Sequence, residues 1–158
     1  MKATIREMTP AEYPLLEEFL YQAIFQQDSE HVIPRAEIKN PELNVYIKDF
    51  GRLPDDHCLC AEVDKQVVGA VWVRILDGFG SVDQKTPEFA ISLLPEFRGQ
   101  GIGTELMKAM LAQLKQAGYT QTSLAVQKDN YALEMYEKLG FEIVAEDEEE
   151  YIMVCQLN

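Results

Sequence analysis

"PEFRGQGIGTELM", residues 95–107, packs Gly99, Gly101 and Gly103 into five positions and then runs straight into apolar residues at helical spacing. Glycine at the mouth of a helix gives up backbone entropy and a side chain that could pack. Such a cluster marks a backbone that something else must approach closely. The preceding "PEFAISLL" (87–94) reads as a strand. After the glycines, Leu106, Met107, Met110, Leu111 and Leu114 form one helix face that ends at Gly118.

A strand, a glycine-rich turn and a helix form an arrangement that binds phosphate. The first helical turn leaves N–H groups unpaired, the helix dipole adds partial positive charge there, and glycines let an oxyanion in without meeting a Cβ. Three designs share this logic. A Walker loop needs Gly-Lys-Ser/Thr, but Gly103 is followed by Thr104 and Glu105. The dinucleotide fingerprint G-x-G-x-x-G fails because Thr104 stands where the third glycine belongs. The next strand also ends in "LAVQ", without the acid that holds a ribose.

The third design fits. "RGQGIG" (98–103) resembles the R/Q-x-x-G-x-G/A signature of the GNAT superfamily, the acyl-CoA-dependent N-acyltransferases. "ISLLPEF" resembles that family's fourth strand. "NYALEMYEKLGF" (130–141) resembles its N-x-x-A-x-x-x-Y-x-x-x-G-F segment. The resemblance is strong over residues 87–142 and elsewhere extends only to the order of elements. It implies that the backbone of Ile91, Ser92 and Leu93 pairs with the pantetheine arm of acetyl-CoA. It implies too that the N–H groups of Gly99, Gln100, Gly101, Ile102, Gly103 and Thr104 cradle the pyrophosphate. Arg98 either reaches a phosphate or braces the loop. Asn130 either points at the cofactor, caps its helix, or does both.

The remaining chain is consistent with that reading. At 158 residues it is expected to be one domain, residues 1–158, with 47% hydrophobic residues and hence a real core. "ATIRE" alternates like a strand. Thr9, Pro10 and Glu12 then supply N-cap, first helical position and capping box for a helix carrying Leu16, Phe19, Leu20, Ala23 and Ile24. A second helix is expected from Asn40-Pro41, burying Leu43, Ile47 and Phe50 and stopping at Gly51. "HCLCAEV" and "VVGAVWVRIL" form a hairpin about "DKQ", "GFGSVDQK" is a loop, and "QTSLAVQ" is a strand. "FEIVAE" and "YIMVCQL" pair around the acidic run "EDEEE" (146–150). The expected fold is α/β (α+β): a mixed, mostly antiparallel twisted sheet of about seven strands flanked by about four helices.

Composition bounds the partners. A formal net charge of −13 excludes nucleic acid, whose binding rests on Lys and Arg, and leans towards a cationic acceptor. The acidic run is either a lip that attracts cations or a solvated turn. No apolar run is long enough to span a membrane, and "MKATIREMTP" lacks the apolar core of a signal peptide, so a cytoplasmic location without membrane contact is expected. A homodimer is compatible with the sequence. Cys58, Cys60 and Cys155 make no disulfide framework, and Cys58-x-Cys60 reads as two small buried hydrophobes rather than a metal pair. No metal is expected.

Acyl transfer from a thioester needs a neutral amine and a stable leaving thiolate. An alkyl amine with a pKa near ~10.4 is protonated at neutral pH, so a base must take its proton. Glu88 is the candidate, since the family often places an acid on this strand, and Asp83 in the neighbouring loop is weaker. Tyr136 resembles the family's tyrosine that gives a proton to the departing sulfur, although Ala132, Leu133, Tyr136 and Leu139 also form a packing face. His31 and His57 have no Ser or Cys nucleophile at a family-like spacing, and Cys58 faces away from its neighbour His57 on a strand. The expected enzyme is therefore an N-acetyltransferase moving an acetyl group to a small-molecule or peptide amine by direct transfer in a ternary complex. The alternatives are a non-catalytic acyl-CoA sensor and a partner-binding domain with a vestigial loop.

Overall fold

The computed structural model describes residues 2–24 and 33–157. The first strand, β1 (Thr4–Glu7), lies antiparallel to β2 (His57–Val63), which forms a hairpin with β3 (Gln66–Arg74). The hairpin turns on Asp64 and Lys65 alone, both at positive φ (48° and 69°), the backbone that matches the strand twist. β4 (Glu88–Leu93) continues antiparallel, and β5 (Gln121–Gln127) lies parallel to it. The chain ends in the antiparallel pair β6 (Phe141–Glu146) and β7 (Glu150–Gln156), with β7 against β5. The sheet order is β1-β2-β3-β4-β5-β7-β6.

Two helical segments differ from expectation. Thr9 and Glu12 do form the capping box, with the Glu12 carboxylate accepting the Thr9 N–H at 2.9 Å. They head a 3-10 turn over Pro10–Leu15, however, and the α-helix proper, α1, is only Leu16–Ala23. Pro14 explains this, because it has no N–H to bond back four residues. The second helix is also short: α2 is Pro41–Asn44, followed by hydrogen-bonded turns through Phe50. Asp49 at φ 52° and Gly51 at φ 97° end that stretch. Ile47 and Phe50 are still buried, as expected. The longest helix, α3 (Ile102–Gln116), follows the glycine loop, and α4 (Leu133–Lys138) begins three residues after Asn130.

Both faces of the sheet are covered. On one, Leu106, Met107, Met110 and Leu114 of α3 pack on Leu59, Val71, Phe89, Leu124, Val126 and Met153. On the other, Leu16, Phe19 and Leu20 of α1, with Ile38, Tyr46, Ile47 and Phe50, pack on Cys58, Cys60 and Trp72. That is why β2 and β3 read as nearly continuous apolar runs. Cys58 and Cys60 are buried in this second cluster, which fits small hydrophobes. No helix among the described residues is long and apolar enough to cross a membrane.

Candidate active site

The sheet opens between β4 and β5. The two strands share a single register pair, Glu88 opposite Ser123, with the Ser123 N–H donating to Pro87 O at 3.0 Å. Beyond it they part, although β4 stays paired to β3 as far as Leu93 opposite Gly69. The alternation of an antiparallel ladder decides which groups face the gap. Leu94 N–H bonds Val68 O, so positions 94, 92, 90 and 88 exchange bonds with β3 and positions 93 and 91 point away from it. The peptide groups of Ile91 and Leu93 therefore face the opening. Ser92 does not: its backbone belongs to β3, and its hydroxyl donates to Phe19 O of α1 at 2.6 Å.

At one end of the opening lies the glycine loop. Gly99 and Gly101 have φ of 74° and 85°, a conformation that disfavours any side chain. A Cβ on either would meet nothing within 4 Å, so the space over the loop is open. Gly101 is the residue from which α3 departs, and no side chain among the described residues caps that helix start. The N–H groups of Ile102, Gly103 and Thr104 sit in its first turn, where intrahelical acceptors are lacking. Arg98 braces the loop: its guanidinium donates to Leu93 O at 3.2 Å and to Gln22 Oε1 at 2.9 Å. Gln100 donates to Glu96 O at 3.1 Å and closes the turn on itself.

The opening widens into a cleft of about 620 Å³ lined by the end of α1, Leu43, Tyr46, Phe79, residues 88–93, residues 124–127, Asn130, Tyr131, Tyr136, Glu149 and Glu150. Glu88 is only 3% exposed and borders it from the α1 face. Tyr46 donates its hydroxyl to Glu88 Oε2, Gly80 donates its N–H to the same oxygen at 3.1 Å, and Ser81 Oγ lies 3.0 Å from Oε1. Burial pushes the Glu88 carboxyl above the ordinary carboxylate value, these hydrogen bonds oppose the rise, and Glu150 adds to it. Gly78 and Gly80 must be glycine for this to form. A Cβ on Gly78 would sit 2.6 Å from the Tyr46 hydroxyl, and one on Gly80 2.6 Å from the Ala125 backbone nitrogen.

Tyr136 enters from the opposite face, on α4. Its ring packs against Phe141 with centroids 6.0 Å apart, and the residue is 8% exposed. Burial pushes its hydroxyl up to about 12, so it keeps its proton at any physiological pH. No hydrogen bond to that hydroxyl is found among the described residues. Asn130 lines the cleft too, with Oδ1 accepting the Ala132 N–H at 2.8 Å to cap the turn before α4. It stands two residues before Ala132, one fewer than the N-x-x-A spacing of the family, whose asparagine position falls on Asp129.

Other candidates lie apart. Asp83 is in the exposed loop before β4, with its carboxylate on Lys85 N–H at 2.8 Å, outside the cleft lining. His57 meets Gln113 at 3.2 Å while Cys58 is buried in the other cluster, so the pair points to opposite faces. His31 lies outside the described residues. Tyr46, Gly80 and Ser81 were not singled out by the sequence, where "GFGSVDQK" reads simply as a loop. The two glycines flanking Phe79 were the available signal.

A profile of the Acetyltransferase (GNAT) family matches residues 13–141. The chain belongs to the GNAT acetyltransferase family. The N-alpha-acetyltransferase of Sulfurisphaera tokodaii is 34% identical over 112 residues, 61% of this chain and 67% of that protein. The mycothiol acetyltransferase of Kocuria rhizophila is 35% identical over 78 residues, where the match spans only 26% of that longer protein. Over its whole length the fold matches the PaiA N-acetyltransferase of Thermoplasma acidophilum, solved with coenzyme A, at a TM-score of 0.73 and 22% identity, covering 99% of each chain. YncA of Salmonella typhimurium, solved with acetyl-CoA, matches at a TM-score of 0.72 and 19% identity, over 99% of this chain and 94% of that one. This GNAT protein is thus an acyltransferase, built among its described residues on a seven-stranded, mostly antiparallel sheet with four α-helices.

Proposed function

We propose that this GNAT protein acetylates a primary amine, taking the acetyl group directly from acetyl-CoA without a covalent enzyme intermediate. One observation carries the reading: Glu88 and Tyr136 border the same cleft from opposite faces of the sheet, where β4 and β5 part. A base for the incoming amine and an acid for the leaving sulfur are needed on opposite sides of a thioester, and the opening separates them in that sense.

The fit of the donor rests on two features. The open space over Gly99 and Gly101 suits a pyrophosphate, held by N–H groups from Gly99 to Thr104 at the start of α3. The outward peptide groups of Ile91 and Leu93 suit the amides of a pantetheine arm. When bound, acetyl-CoA supplies the activated acyl group. Glu88, with its carboxyl raised by burial, takes the proton of the amine. Tyr136, whose hydroxyl is unpaired among the described residues, delivers a proton towards the sulfur. Arg98 keeps the loop in shape and Asn130 shapes the turn that presents α4.

Glu88, Glu149 and Glu150 outnumber Arg98 around the cleft, which favours an acceptor that is cationic in solution. The likeness to the N-alpha-acetyltransferase of Sulfurisphaera tokodaii makes a peptide N-terminus one such acceptor to test. The experiment is a panel of peptides, polyamines and amino acids incubated with acetyl-CoA, reading thiol release and product mass. The reading expects one amine class to gain an acetyl group at a rate that Glu88→Gln reduces by at least tenfold. Acetyl-CoA binding with no acetylated amine across the panel would favour a sensor instead.

A further inference from the structure

The carboxylate in the base position is held from outside the family's signature segments. Tyr46, just after α2, is 42 residues from Glu88 in sequence and largely buried. Its hydroxyl donates to Glu88 Oε2 and accepts the Phe79 N–H at 2.9 Å, and its ring stacks on Phe79 at 10° between planes. Its backbone is pinned as firmly. Trp72 Nε1 donates to Tyr46 O at 3.1 Å, and Arg74, buried against Asp56 at 2.8 Å, donates to Val45 O and Lys48 O on either side. Thus β3, the turns after α2 and the 78–81 loop all converge on one hydroxyl.

Proton counting distinguishes the two carboxylate oxygens. Oε2 takes two donors, Tyr46 and Gly80. Among the described residues Oε1 has only Ser81 Oγ at 3.0 Å, and that hydroxyl also lies 2.7 Å from Leu76 O. The single Ser81 proton serves one acceptor at a time. Oε1 is therefore the oxygen with room for an incoming proton.

We propose that Tyr46 is a positioning residue for the acetyl transfer: by donating to Oε2 it keeps Glu88 ionised and leaves Oε1 as the atom that receives the amine proton. This rests on Glu88 being the base. In the step, an N–H bond of the acceptor breaks, its electron pair stays on nitrogen, and an O–H bond forms at Oε1. The new O–H then donates to Ser81 Oγ, whose own proton turns to Leu76 O, and loss of one proton to solvent restores the start. Among the described residues the charged and titratable groups around Glu88 are few. Arg74 is its cross-strand partner on β3, but its guanidinium is committed to Asp56 and to backbone carbonyls. Glu150 of β7 opposes ionisation, and Tyr46 itself favours it.

The test is the pH dependence of kcat, with acetyl-CoA and the acceptor from the panel both saturating, in the parent, Tyr46→Phe and Glu88→Gln. Removing a donor from the charged form raises a carboxyl pKa, here by about one unit for a hydrogen bond to a charged group. Tyr46→Phe should therefore move the acidic limb up by about one pH unit, recover within a few-fold of the parent on the alkaline plateau, and leave acetyl-CoA affinity unchanged. A limb that stays in place while Glu88→Gln has lost it overturns the role of Tyr46 alone. A limb that persists in Glu88→Gln overturns the base assignment beneath it. Should Tyr46→Phe fail to fold, 3-fluorotyrosine placed at position 46 keeps the ring and makes a stronger donor. The limb should then move down, and an unmoved limb overturns the proposal.

Discussion

Replacing Tyr136 with phenylalanine separates its packing from its chemistry, because the hydroxyl has no hydrogen-bond partner to lose among the described residues. The ring contact with Phe141 survives the substitution, and no hydrogen bond within the described residues is broken. Stability should change by less than about 1 kcal/mol, below the usual cost of a deleted hydrogen bond. Turnover should fall by about 10²–10⁴, the range for loss of a general acid. At about 1.36 kcal/mol per decade that is roughly 2.7–5.5 kcal/mol on the barrier, several times the stability effect. The assay is steady-state kinetics with a saturating amine, beside a melting curve and an acetyl-CoA titration. Affinity for acetyl-CoA should hold within a few-fold, since the proton matters as the carbon–sulfur bond breaks. Turnover within threefold of the parent, with product release shown not to mask chemistry, would refute the acid role and leave Tyr136 as a packing residue. The raised hydroxyl adds a pH signature. Folding favours the neutral phenol, so its contribution is complete below the unfolded value of about 10. It is lost as pH climbs through about 12, and Tyr136→Phe should blunt that alkaline loss.

Three further outcomes follow from the same contacts. Gly101→Val should weaken acetyl-CoA binding by well over tenfold in calorimetry: the side chain enters open space, and the left-handed backbone costs only about 1–2 kcal/mol of stability, which the fold should survive. Asp56→Ala strands the Arg74 guanidinium, 4% exposed in its side chain, and should destabilise by about 3–5 kcal/mol in urea denaturation; a loss under 1 kcal/mol would contradict its role as anchor for the Tyr46 segment. Arg6, together with Thr9, holds the Glu12 carboxyl at about 2, so that group's stabilisation is present above about 4.5 and drains as pH falls towards 2; Arg6→Gln should flatten the acid limb of the melting curve.

What could be read from the chain, and what could not, follows the range of each interaction. The glycine loop was legible because its cause is local: a strand, a left-handed turn and a helix start lie within one short run. The faces of β2 and β3 were legible through alternation, which correctly set Cys58 apart from His57. Pro14 was visible but read only as part of a helix, although its missing N–H converts the first turns to 3-10 geometry. Asn130 was assigned the family's asparagine role despite standing one residue off the spacing. The cage around Glu88 was not legible, since Tyr46 meets it across 42 residues and through a loop whose glycines betray close approach without saying to what. Nor does periodicity reveal that β4 and β5 share one register pair and then part.

That parting is the centre of the account, and amide-resolved hydrogen exchange with and without acetyl-CoA tests it most directly. Ile91 and Leu93 have peptide groups turned into the opening, while Ser92 is already bonded to β3. Binding should slow exchange at Ile91, Leu93 and the amides from Gly99 to Thr104, and leave Ser92 unchanged. Protection that appears at Ser92 but not at Ile91 and Leu93, or that bypasses the glycine loop, would contradict it.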